Sequence, residues 1–150
     1  MPTIERSALV EYSSQQMFDL INDIEAYPEF MAGCLAARID HRGDDWVEAT
    51  LTLGKNGIQQ QFTTRNQLQA PDSMVMQLVD GPFRRFEGRW QFIPLGAEAS
   101  GCKVSLDLLF EFGNPILGLA AGKWLQDIAS RQVESLCQRA QFVYGENNRP

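Results

Sequence analysis

Between positions 35 and 112 apolar and polar side chains alternate with a period of two, and short turns interrupt the alternation. That period places successive side chains on opposite faces of an extended strand. Segment 35–42 runs into Gly43-Asp44-Asp45, and 46–53 returns from it; Gly54-Lys55-Asn56-Gly57 then precedes 58–68. Pro71-Asp72 opens 73–79, Asp80-Gly81-Pro82 opens 83–94, and 96–101 leads into 102–112. Six strands joined by such short turns pair most simply with their sequence neighbours, as an antiparallel meander. An earlier alternation adds a seventh strand, with Ile4, Arg6, Ala8, Val10 and Tyr12 on one face and Thr3, Glu5, Ser7, Leu9 and Glu11 on the other.

The period changes on either side of the meander. Ser13 and Gln16 form a capping box, after which Met17, Leu20, Ile21 and Ile24 follow at helical spacing. Pro28 ends that helix or opens a second short one at 28–31. Asn114 caps a helix whose first residue is Pro115, and Leu117, Ala121, Trp124, Ile128, Leu136, Ala140 and Val143 predict one long helix over 115–143. Sheet and helix each have one apolar face to bury, so they pack together. The expectation is an α+β domain over 1–145, with a seven-stranded curved antiparallel sheet (order β-α-α-β6-α) wrapped around a long C-terminal helix and a polar tail at 146–150.

A chain of 150 residues with 44% hydrophobic side chains builds its core without disulfides or metal. Cys34, Cys102 and Cys137 stand at wide spacings, make no metal pattern, and read as reduced, mostly buried thiols. The net charge of −6 disfavours DNA and general RNA binding. No apolar run is long enough to span a bilayer, and a cytoplasmic location is expected.

Parity points Phe62, Thr64, Met74, Met76, Leu78, Phe86, Trp90, Phe92, Val104, Leu106, Leu108 and Phe110 toward the long helix. Gln61, Thr63, Arg65, Arg85, Glu87, Arg89, Asp107 and Glu111 point to water. The inward set reads either as a closed core or as the adaptable wall of a cavity, since one helix under a curved sheet leaves volume to fill. Thr64, Asn66 and Gln60, on the same parity as Phe62, suit a guest's polar head, a buried water, or a place beyond the rim. Gly118 and Gly122 open the last helix either as a movable lid or for close packing on the sheet.

Catalytic signals are missing. His41 is the sole histidine and sits beside a turn, and no phosphate loop, HExxH or clustered metal ligands occur. The carboxylates Glu87, Asp107 and Glu111 fall on the outward face. No catalytic residue, metal or cofactor is expected. Arg84, Arg85 and Arg89 are either a solvated strand face or a basic patch.

Several motifs in series carry a resemblance: Tyr27-Pro28-Glu29-Phe30, Phe62-Thr63-Thr64-Arg65-Asn66, Asp80-Gly81-Pro82-Phe83, Gly88-Arg89-Trp90-Gln91-Phe92 and Arg139-Ala140-Gln141-Phe142-Val143-Tyr144-Gly145. In order and spacing, over about 4–145, they resemble the bacterial ribosome association toxin family and the related coenzyme Q-binding proteins, members of the START-like polyketide cyclase/dehydrase and lipid transport superfamily. The resemblance implies the helix-grip fold and two activities. One is non-enzymatic binding of ubiquinone or a similar isoprenoid lipid in support of respiration, with transient membrane contact. The other is binding to the large ribosomal subunit, which blocks subunit association.

With the resemblance, parity assigns a tunnel-like pocket to Phe62, Met76, Leu78, Phe86, Trp90, Leu106, Leu108, Phe110, Trp124 and Ile128, with Thr64 or Asn66 orienting a ring carbonyl. Phe83, Arg84 and Arg85 would carry a ribosomal partner. Met31-Ala32-Gly33-Cys34 stands where the family has a Pro-Trp-Cys-like segment, so the fold carries over while the guest stays open.

Overall fold

The computed structural model describes residues 3–55 and 57–145, and of Lys55 the backbone alone. Asn56 of the expected 54–57 turn and the tail at 146–150 lie outside the described residues.

The meander forms as the alternation requires. The strands are β1 (Thr3–Val10), β2 (Cys34–Arg42), β3 (Trp46–Lys55), β4 (Ile58–Gln69), β5 (Ser73–Asp80), β6 (Phe83–Leu95) and β7 (Gly101–Phe112). They make one antiparallel sheet in the order β1-β7-β6-β5-β4-β3-β2. β1 pairs along its length with β7, from Thr3 opposite Leu109 to Val10 opposite Cys102. The chain must then cross from one sheet edge to the other before β2 begins. Helix α1 (Ser14–Asn22) and a 3-10 helix (Ile24–Glu29) make that crossing.

The capping box holds: Ser13 Oγ accepts from Gln16 N at 3.1 Å, and Gln16 Oε1 accepts from Ser13 N at 2.8 Å. Ser14 Oγ donates to Phe92 O at 3.0 Å, and Phe18 meets Phe92 edge-on at 6.3 Å, which fastens α1 to β6. Pro28 lies inside the 3-10 helix and does not start one. Met17, Ile21, Phe92, Phe110 and Leu136 are each at most 1% exposed, and burial of such a side chain is worth roughly 1.5–3 kcal/mol.

The C-terminal element differs from the expected single helix. It is two helices, α2 (Pro115–Ser130) and α3 (Gln132–Tyr144), that meet at Arg131. The break needs neither proline nor glycine. Arg131 N bonds Ile128 O at 3.1 Å, three residues back, and the Gln132 side-chain amide takes the same carbonyl at 3.0 Å. A side chain inserted into the helical ladder turns the axis. The same Gln132 nitrogen bonds Ala32 O at 3.0 Å, and Ser135 Oγ accepts from Ala32 N at 3.2 Å. The bend lets α2 cross the sheet while α3 runs beside α1, where Tyr144 donates its hydroxyl to Gln16 O at 3.0 Å.

Gln132→Ala removes both side-chain bonds at the break. It should lower stability by about 1–2 kcal/mol, read as a lower urea midpoint. An unchanged midpoint would mean that the bend has another cause.

Candidate functional site

A mostly apolar cavity of about 90 Å³ lies between the concave face of the sheet and α2. Neighbouring strands build its wall. β4 contributes Phe62, Thr64 and Asn66, β5 Met76, and β6 Phe86 and Trp90. β7 adds Leu106, Leu108 and Phe110, and α2 adds Ile128.

Two expected residues lie elsewhere. Pairing of β5 with β6 stops at Gln77 opposite Glu87, and β4 and β5 shift register between Thr63 and Thr64. Leu78 still pairs with Thr64 but lies just past the end of the β5–β6 pairing, and it does not line the cavity. On α2 the cavity face is Leu125, Ile128 and Ala129, and Trp124 packs half-buried to one side. Gln60 is also half-buried and outside the cavity.

The remaining wall is split between legible and hidden residues. Ala49, Leu51 and Leu53 of β3 continue the alternation begun by Val47, so parity extended to that strand would have found them. Ile24 continues the helical spacing of Met17, Leu20 and Ile21, whereas Tyr27 and Met31 of the crossing segment and Cys34, the first residue of β2, carry no periodicity that points inward.

Two glycines let side chains of the cavity wall pack closely against bare backbone. A Cβ on Gly88 would come within 2.5 Å of Met76 Cε and 2.7 Å of Leu108 Cδ2. Gly33 has φ +74°, and a Cβ there would lie 2.4 Å from Ile128 Cδ1. The Met31-Ala32-Gly33-Cys34 segment therefore touches α2 through bare backbone, in left-handed geometry that glycine adopts freely.

The polar groups in this wall are mostly occupied with each other. Thr64 Oγ1 donates to Asn66 Oδ1 at 2.8 Å. Asn66 Nδ2 reaches Met74 Sδ at 3.6 Å, a weak acceptor, so this amide is the group best placed to donate to a guest oxygen. Tyr27 donates its hydroxyl to Ile21 O, and burial raises its pKa far above the ordinary phenol value. Burial also pushes the Cys34 thiol up to about 11. Neither group exchanges protons near neutral pH. The cavity suits apolar matter with one hydrogen-bond acceptor. At about 90 Å³ it is smaller than the roughly 300–1,000 Å³ of ordinary ligand pockets, so a long isoprenoid enters only if flexible walls such as Met31 and Met76 move.

The expected docking trio divides. Phe83 is 7% exposed and packs against Phe62, Phe86, Phe110 and Phe112, so it offers no surface, because β6 begins with its first side chain pointing inward. Arg84 and Arg85 are exposed, but Arg84 lies 3.8 Å from Glu111 and Arg85 3.9 Å from Glu87. Arg89 stands opposite Asp107 in the register. Carboxylates on β7 and, beside Arg85, on β6 itself thus offset the basic patch.

Among the described residues no three His, Cys, Asp or Glu side chains group as metal ligands, and no helix is long and apolar enough to cross a membrane.

Comparison with known proteins adds the following. The sequence profile of the family described as polyketide cyclase / dehydrase and lipid transport matches residues 10–137. The ribosome association toxin RatA of Escherichia coli (strain K12) is 43% identical over 144 residues, covering 96% of this chain and 90% of that protein. The mitochondrial coenzyme Q-binding protein of Drosophila melanogaster is 26% identical over 109 residues, 71% of this chain and 45% of that one. Among solved structures, the Zhui aromatase/cyclase of a Streptomyces species superposes with a TM-score of 0.80 at 13% identity, covering 98% of each chain, which is a likeness of fold.

The thiol at the cavity gives a pH test. With its pKa moved from 9.0 to about 11, Cys34 at pH 8 carries about a hundredfold less thiolate than an ordinary cysteine and should alkylate correspondingly slowly. Because the folded thiol ionises later than the unfolded one, its contribution to stability is complete below about pH 9 and is lost as pH rises toward 11. Alkylation of Cys34 in the native protein at the rate seen in urea would contradict the burial.

Proposed function

We propose a ribosome-associating role for this chain, which belongs to the polyketide cyclase / dehydrase and lipid transport family and, within it, groups with the ribosome association toxins. It binds the large ribosomal subunit from the cytoplasm and hinders joining of the small subunit, as a binding protein without catalysis. The observation that carries this reading is the 43% identity to RatA, spread over 96% of the chain and not confined to a core motif. Binding through the outer surface is compatible with a cavity wall in which burial holds the Tyr27 and Cys34 protons in place.

The test is a sucrose gradient of purified subunits with and without the protein. The expected result is comigration with the large subunit and a reduced peak of joined ribosomes. An unchanged ribosome peak, with the protein remaining at the top of the gradient, would overturn the reading.

One observation favours a second, compatible activity. The apolar cavity presents the Asn66 amide among hydrophobic walls, which suits an isoprenoid quinone or similar lipid whose carbonyl accepts from that amide. The 26% identity to the coenzyme Q-binding protein supports it over part of the chain. Solvent extraction after gentle purification, read by mass spectrometry, should yield one quinone or lipid per chain, and Leu108→Asp should lose it. A protein that comes out empty, and stays empty when mixed with quinone-loaded vesicles, would remove this activity.

A further inference from the structure

The 7–37 stretch contains Glu11, Asp19, Asp23, Glu25 and Glu29, all exposed, and no lysine or arginine. It includes α1 and the 3-10 helix, and it runs antiparallel to α3. Tyr144 bonds Gln16 at one end, Arg139 reaches Glu29 at 3.8 Å midway, and Ser135 and Gln132 hold Ala32 at the other. α3 thus lies against an acidic ridge.

At the middle of this face stands an aromatic cluster. The Arg139 guanidinium lies 5.1 Å from the Phe30 ring and 5.6 Å from the Phe142 ring. Phe142 is 62% exposed, the one aromatic ring among the exposed large hydrophobics of the described residues, and Gln138 and Gln141 beside it and Glu134 nearer the start of α3 are exposed and carry no positive charge. Arg139 itself is 19% exposed, and its charge is already opposed by Glu29. An aromatic centre with a charged rim is the anatomy of a protein–protein contact. The negative rim repels phosphate and attracts lysine and arginine.

From the exposed Phe142 ring, its Arg139–Phe30 support and the flanking carboxylates, we infer that this face docks a lysine- and arginine-rich protein segment. Resting on the ribosome-association reading, the inference makes the partner a basic protein on the large subunit's surface and not its RNA. It also moves the contact away from Arg84 and Arg85, whose charges are offset.

The experiment measures affinity of the full chain for purified large subunits and maps the contact. Phe142→Ala, and separately the pair Glu25→Lys with Glu29→Lys, should each weaken binding about tenfold or more, while Arg84→Glu does not. All four positions are exposed, and unchanged circular dichroism confirms that the variants fold. A photo-cross-linking residue at position 142 should label a ribosomal protein. If the unaltered chain fails to bind large subunits, the functional reading falls and this inference with it. If it binds but the Phe142 and Glu25/Glu29 variants bind equally well, or the cross-link falls on RNA, the docking face is wrong while the functional reading stands.

Discussion

A curved sheet with one apolar face has to be covered, and here the cover does not fit it completely. α1 and the 3-10 helix close one part of the concave face because the chain must cross from β1 to β2. α2 closes another part, presenting Leu125, Ile128 and Ala129. Between them a gap of about 90 Å³ persists, lined by Ala49 and Ala129 among larger side chains. Protein interiors normally leave few voids larger than a water molecule. The void under the sheet is a departure from that close packing.

The interior and the exterior of this molecule suit different tasks. Inside, the polar atoms are few and mostly paired, and burial holds the Tyr27 and Cys34 protons in place. Such a space selects by shape and apolarity. Outside, charge is distributed unevenly: the arginines of β6 have carboxylates beside them on β6 and β7, whereas the 7–37 stretch has carboxylates alone. The proposed association with a large partner would draw on that outer asymmetry, while the small cavity is free to stay closed or to take a guest. The bend at Arg131 links the two regions, because α2 covers the cavity and α3 carries the outer face.

Much of the fold was legible because alternation over 35–112 admits few topologies. Strand ends agreed with the turn residues to within one or two positions, and the Ser13–Gln16 cap formed as written. Legibility failed where tertiary contacts overrule local pattern. Apolar spacing continues smoothly through Arg131, and what breaks the helix is a bond from Gln132 to Ala32, a hundred residues away in the chain. Leu78 obeyed parity in sequence but lies just past the end of the β5–β6 pairing, which no local signal marks. Phe83 was expected outside beside two arginines, yet the aromatic cluster around Phe62 and Phe86 draws it in. Tyr27 and Met31 entered the cavity wall from the crossing segment, and Cys34 from the first position of β2, where no periodicity points inward.

The whole interior arrangement depends on an apolar space that remains between the sheet and α2. A crystal of the protein pressurised with xenon measures it directly, since xenon enters apolar cavities that water leaves empty. The account predicts one xenon atom held among Met76, Leu108 and Ile128, with the surrounding backbone unmoved. Met76 folded into that space, with no xenon density beside it, would contradict the account.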